Sequence, residues 1–255
     1  MNNLKFMAPS GTSYTIREQN GEDEEILSNQ ADAKDLMNLT KFISAIVIDT
    51  DFNESGHLLV DDVLKLPLLD RYVILFKSRI FSLGNILTFE YDWGNNKKIS
   101  YEQDLQDFLF NDYSKEPSKE ELEEKVDAIP YYPYHDKDLI KSSDGNELKL
   151  TSGKILKWSY LNGNSEIFLM NLPANKRTRN SDLLARNLRL LVDGKFEKVT
   201  NFKDFNIKEM AEMRKAIVSQ DPIFMGTTTI ENPDTGASFQ YPIMASTGFF
   251  FLTEV

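Results

Sequence analysis

The chain has no cysteine among its 255 residues. That excludes disulfides, thiol nucleophiles and thiolate metal sites together. Histidine is nearly absent too. Only His57 and His135 are available for acid–base or metal work, far apart and without a nucleophile or carboxylate at motif spacing. No run approaches the roughly 18 apolar residues of a membrane-spanning helix. The most apolar stretches are Phe42 to Ile48 and Leu64 to Phe81, and Asp70, Arg71, Lys77 and Arg79 interrupt the second. The opening Met1 to Phe6 carries no signal-peptide apolar core, so export by the standard route is not expected. Excess positive charge is lacking as well. A net charge of −11 disfavours binding to naked nucleic acid through a broad basic face. The 12 glycines are spread singly, so no phosphate-cradling loop exists.

What is present is an internal echo. Residues 10–27 read SGTSYTIREQNGEDEEIL and residues 152–169 read SGKILKWSYLNGNSEIFL. Ser-Gly, Asn-Gly, Glu24 with Glu166 and Leu27 with Leu169 all recur at an offset of 142. Gly-anchored turns also recur by chance, so the order of elements has to carry the case for duplication. After Ser-Gly, polar and apolar residues alternate as in a half-buried strand, with Asn20-Gly21 and Asn162-Gly163 expected as turns. An amphipathic helix follows in each half, through Leu36, Leu39, Phe42, Ile43, Ile46 and Val47, and through Leu183, Leu184, Leu188 and Leu191 after the N-cap candidate Ser181. A short strand-like or turn piece comes next, then a second helix. In the first half it spans about Val60 to Ser82, with the helix proper starting at Pro67. In the second it opens on the capping-box pattern Asn206 to Glu209 and ends by Asp221-Pro222. Each half closes on a hairpin, 86–101 and 227–241.

The expected fold class is therefore α+β. Two similar modules, 1–106 and 148–255, each hold strand-turn-strand, two helices and a closing β-hairpin. An acidic and Tyr/Pro-rich linker, 107–147, joins them. Its charge run, Lys115 to Lys125, reads as a polar helix or solvated segment, and its Tyr-Pro tract as extended chain.

Catalytic and metal chemistry find little support. Asp49, Asp51, Asn53 and Gly56 superficially follow a calcium loop, but the glycine falls at position eight instead of six and Val60 stands where Glu is needed. Glu24 and Glu166 read as solvated turn acids. No cofactor, metal or enzymatic activity is expected. The residues singled out are docking candidates. Tyr131, Tyr132 and Tyr134, near prolines, either pack across the two modules or dock on a neighbour. The basic cluster Lys176, Arg177 and Arg179 is assigned to an acidic protein face in preference to nucleic acid. Phe249, Phe250 and Phe251 form an apolar tail that enters either the chain's own core or a partner subunit.

Three further stretches carry a family resemblance. They are Ala8-Pro9-Ser10-Gly11 with Ile16-Arg17-Glu18 through Gly21 and Glu24; Leu66-Pro67-Leu68-Leu69-Asp70-Arg71-Tyr72 followed by Ser82-Leu83-Gly84; and Asn232-Pro233-Asp234-Thr235-Gly236 with the Phe-rich terminus. In these the chain resembles the T4-type baseplate hub and tail assembly proteins of contractile phages. Many of those carry a zinc-ribbon-like Cys-Pro-x-Cys-Gly hairpin. Here Asn232 and Thr235 stand in the cysteine places, so the hairpin frame is kept and the metal lost. The resemblance implies a non-enzymatic structural component, near the hub or inner wedge, located in the virion tail and in host cytoplasm during assembly. Its implied partners are other baseplate or tail proteins in a hetero-oligomeric assembly, with no nucleic acid and no membrane. The alternatives are an assembly chaperone absent from the mature virion and, less favoured, a tail-associated hydrolase.

Overall fold

The N-terminal hairpin pairs Asn3–Met7 (β1) with Ser13–Arg17 (β2) in a computed structural model that describes residues 2–94, 98–132, 140, 145–178, 180–245 and 249–251. Leu4 faces Ile16 and Phe6 faces Tyr14. Alternation along β2 turns Tyr14 and Ile16 inward, where both are buried. The turn is closed by Ala8 N–H to Thr12 O and Gly11 N–H to Ala8 O, with Gly11 at φ 76°. Only glycine takes that conformation without a Cβ penalty. Asn146–Lys149 (β6) and Ile155–Trp158 (β7) pair in the same register, Asn146 facing Trp158 and Leu148 facing Leu156. Their turn is closed by Leu150 N–H to Lys154 O and Gly153 N–H to Leu150 O. Each of these residues lies 142 beyond its counterpart, from Leu4 and Asn146 to Thr12 and Lys154.

The two Asn-Gly pairs start helices and do not form the expected turns. Asn20 and Asn162 sit in nearly the same extended conformation, φ −136° and −143°. The Asn20 side chain accepts from the Glu22 and Asp23 amides, and that of Asn162 from the Ser165 amide. An asparagine so placed satisfies amides that the first turn leaves unpaired. The helices are Gly21–Ser28 (α1) and, beyond the middle segment, Gly163–Asn171 (α7).

After α1 come the short helix Gln30–Ala33 (α2) and Met37–Ile46 (α3), whose apolar stripe buries Phe42, Ile43 and Ile46. Val47–Thr50 (β3) then joins β2, giving a three-stranded antiparallel sheet. Val60–Val63 (α4) precedes Leu68–Leu83 (α5), with Pro67 as the N-cap residue. Ile86–Asp92 (β4) and Lys98–Asp104 (β5) form the first closing hairpin. In the second half, β7 continues through Arg189–Val192 (β8) and Lys195–Lys198 (β9) into a four-stranded sheet. Ile207–Gln220 (α9) carries the expected capping box, and Thr227–Glu231 (β10) pairs with Ser238–Pro242 (β11). Among the described residues the fold is thus mixed α/β, with nine helices and four small antiparallel sheets, mostly hairpins. None of those helices is long and apolar enough to cross a membrane.

Two expectations need correction. The helix after Ser181 is only Ser181–Ala185 (α8), because Asn187 turns the chain at φ 51° and Leu191 continues in β8. The segment after residue 106 is not a solvated linker throughout. Lys119–Glu124 (α6) buries no residue, yet Phe108, Leu109, Phe110, Tyr113 and Ile129 around it are core.

Two hydrophobic clusters make up the core. One lies under the first sheet and α3. The other joins the second sheet, α9, the residues flanking α6 and the first closing hairpin. Helix α5 serves both, giving Ile74 and Leu75 to the former and Leu69, Val73 and Phe76 to the latter. The two closing hairpins meet through stacked rings, Phe89 on Tyr241 at 4.1 Å and Tyr91 on Phe239 at 4.7 Å. The Tyr101 hydroxyl also donates to Glu231 O across this contact.

Candidate functional site

The halves meet where the start of α5 crosses the start of α7. Proline has no amide hydrogen, so at Pro67 the helix start gives up nothing. The next amide, Leu68 N–H, donates to Leu161 O at 2.8 Å. Both the amide and the side-chain nitrogen of Asn164 donate to Leu64 O, each at 3.0 Å. Gly163 gives this close approach its room. A Cβ on it would lie 3.0 Å from Arg71 Nη1 and 3.0 Å from Leu64 Cα.

Beneath this crossing the Arg71 guanidinium is buried. Its nitrogens donate to Val63 O, Thr40 Oγ1 and Glu166 Oε2 at 3.1–3.2 Å. Tyr72 donates to the other Glu166 oxygen at 3.4 Å. Burial, with the Glu166 charge adding to it, pushes the Tyr72 hydroxyl well above its ordinary value, so it stays protonated and remains a donor. Glu166 is therefore a tie between halves. Its counterpart Glu24 is exposed, so the two acids share a register and not a role.

A second buried pair holds the far end of α9. Arg186 and Asp221 are in direct contact, and neither has appreciable access to solvent. Asp221 also accepts from the Leu161 amide at 2.9 Å. Burial raises the Asp221 carboxyl above its ordinary value, and Arg186 and the Leu161 amide oppose that.

Each N-terminal hairpin turn is latched to the third residue of a long helix. Asp70 of α5 accepts from the Ser10 amide at 2.9 Å, from the Ser10 hydroxyl, and from the Tyr14 hydroxyl at 3.0 Å. Glu209 of α9 accepts from Lys154 Nζ at 3.0 Å and from the Asn206 amide at 2.8 Å. A hydrogen bond from Ser152, ahead of those from the Asn206 amide and Lys154, holds the Glu209 carboxyl down at about 2, against an ordinary 4.5. The sign follows from linkage. A depressed folded pKa stabilises above the unfolded pKa, and that stability is lost as pH falls through the folded value. Thermal melts of the wild type and Glu209→Gln should therefore differ at pH 6. The gap should close between about pH 4.5 and pH 2; a gap independent of pH would mean the charge is not what latches the turn.

Beside the crossing opens a cleft of about 630 Å³, lined by Phe52, Leu161, Phe168, Val199 and other residues of both halves. Among the described residues its charged lining groups are Lys65 and Lys198, and no described carboxylate lines it.

The expected docking residues divide. Phe249 is wholly buried against Phe76, at 5.2 Å between ring centres, and Tyr132 is wholly buried too. Both belong to the chain's own core, so of the two places open to each, the interior takes them and neither is left as a docking group. Phe250 is half-buried, edge-on to Phe42, and Phe251 is half-buried. Tyr131 is half-buried and donates to Asp112 O. Lys176 is exposed. Arg177 is exposed but anchored, donating to Met170 O and Leu172 O at 2.9 Å, where a cation suits the C-terminal end of α7. Tyr134, Arg179 and His135 lie outside the described residues.

Around the resemblance to a calcium loop, Asp51 accepts from the Ser13 amide and Asn53 donates to His57 O, an ordinary loop-bracing pattern. No cluster of three or more potential metal ligands occurs among the described residues. The frame Asn232 to Gly236 is a hairpin loop closed by Asn232 N–H to Ala237 O and Gly236 N–H to Asn232 O.

Sequence reasoning missed the buried ion pairs. The available signal was an Asp-Arg pair set inside the apolar run Leu64 to Phe81. No family model, curated protein or solved structure matches the chain.

Proposed function

We propose that the chain is a docking scaffold built from two copies of one module, and that it serves as a structural component of a contractile phage-tail baseplate, at the hub or inner wedge. The observation that carries the scaffold reading is the shared hydrogen-bond register at an offset of 142, from the first hairpin to the helix caps. A second correspondence, at an offset of 139, supports it. Ser10 and Ser152 contact Asp70 and Glu209, and the Gln19 and Leu161 amides donate to Ser82 and Asp221. The helix residues in those pairs differ by 139 while the hairpin residues differ by 142, as a three-residue deletion between copies would produce.

The baseplate assignment rests on the family resemblance. Its support in the fold is that the first two motif stretches touch, Ser10 of one on Asp70 of the other. Ser10 and Tyr14 reach Asp70, Arg17 pairs with Asp23, and Arg71 crosses to Glu166. Mass spectrometry of purified virions tests it. The protein should be found in mature particles at a fixed ratio to other baseplate proteins. Its presence in infected cells with absence from virions would instead make it an assembly chaperone.

A further inference from the structure

Helix α7 is out of place on a water-exposed surface. Glu25-Ile26-Leu27-Ser28 of α1 corresponds, at the offset of 142, to Ile167-Phe168-Leu169-Met170 of α7. Where α1 turns polar Glu25 and Ser28 outward, α7 has isoleucine and methionine. Leu27 is buried, and the neighbouring helix α3 donates from Asn38 to Leu27 O. Its counterpart Leu169 is only half-buried, because α8 has half the length of α3 and leaves the helix bare. Phe168 is 41% exposed and Met170 44%. The turn Ile167 to Met170 is apolar all round, and such a turn belongs under cover.

We propose that the exposed face of α7, with the adjoining cleft, binds an amphipathic helix of a partner protein whose polar face is acidic. The geometry argues for a helix, because α3 covers the matching face of α1. The charge argues for acid. On a chain of net charge −11, the cleft presents Lys198 and also Lys65, the latter 3.7 Å from Asp62, with no carboxylate lining it among the described residues, and Arg177 is fixed at the other end of the α7 face. This inference rests on the docking reading above, but not on the identity of the particle.

The test uses the full-length protein and fluorescence anisotropy. One labelled probe is a leucine–glutamate amphipathic peptide of about 15 residues, long enough for helix formation on binding. The other is a leucine–lysine peptide of the same apolar pattern. The acidic peptide should bind at least tenfold tighter. Phe168→Asp should weaken it at least tenfold with an unchanged melting temperature. Lys65→Glu with Lys198→Glu should shift the preference toward the basic peptide. Equal binding of both peptides, acidic binding that survives Phe168→Asp, or no binding overturns the proposal. So does self-association in sedimentation that Phe168→Asp abolishes, which would make a second copy the occupant. Absence from virions with intact peptide binding would remove the baseplate reading and leave this one standing.

Discussion

Replacing Asp221 by alanine should cost about 3–5 kcal/mol of stability, the range for stranding one member of a buried ion pair. Arg186 has no exposed surface, so its charge would be left in a dry environment beside the Leu161 amide that Asp221 now satisfies. For a chain of this size the melting temperature should fall on the order of 10 °C. Replacing the pair together, Arg186→Met with Asp221→Leu, should recover most of the loss, because two apolar groups need no compensation for lost hydration. Differential scanning calorimetry on the wild type and the two variants decides it. A near-neutral Asp221→Ala would show that packing alone fixes the end of α9.

Asp70→Ala should be nearly as damaging, at roughly 3 kcal/mol, since it leaves the buried Ser10 amide and Tyr14 hydroxyl without their acceptor. Asp70→Asn separates shape from charge. Its side-chain oxygen can still accept from the Ser10 amide, while the hydroxyls of Ser10 and Tyr14 turn to meet the new donor. Urea unfolding should place Asp70→Asn between the wild type and Asp70→Ala. An asparagine variant as unstable as the alanine one would mean that the negative charge itself, and not the hydrogen-bond count, holds the turn against α5.

The periodic features were legible in the sequence for local reasons. The α3 stripe, the Asn206 capping box and the closing hairpins depend on residues within a few positions of one another, and there the expectation and the structure agree. Asn20 and Asn162 were misread because Asn-Gly suits both a tight turn and a helix N-cap, and the acidic or small residues that follow do not discriminate. Leu188 and Leu191 kept helical spacing into β8, so the short apolar run was ambiguous between periods. The burial of Phe108 to Tyr113 was hidden by the charged run beside it. The cleft was least legible. Phe52 and Phe168 lie more than a hundred residues apart, and no local pattern could bring them together.

The sharing of α5 between two cores has a consequence for synthesis. The first half leaves the ribosome with Leu69, Val73 and Phe76 in a helix that on that side has only Phe108 and its neighbours, with Leu87 and Phe89 of the first closing hairpin, to lie against. Met210 and Met213 of α9 are more than 125 residues further on, and Phe224 and Phe249, two of the three rings packed on Phe76, are later still. At ordinary translation speeds, α5 is half-naked for on the order of ten seconds. During that interval the nascent chain offers a sticky apolar strip to any other chain nearby. Completion of the second half is what ends the exposure.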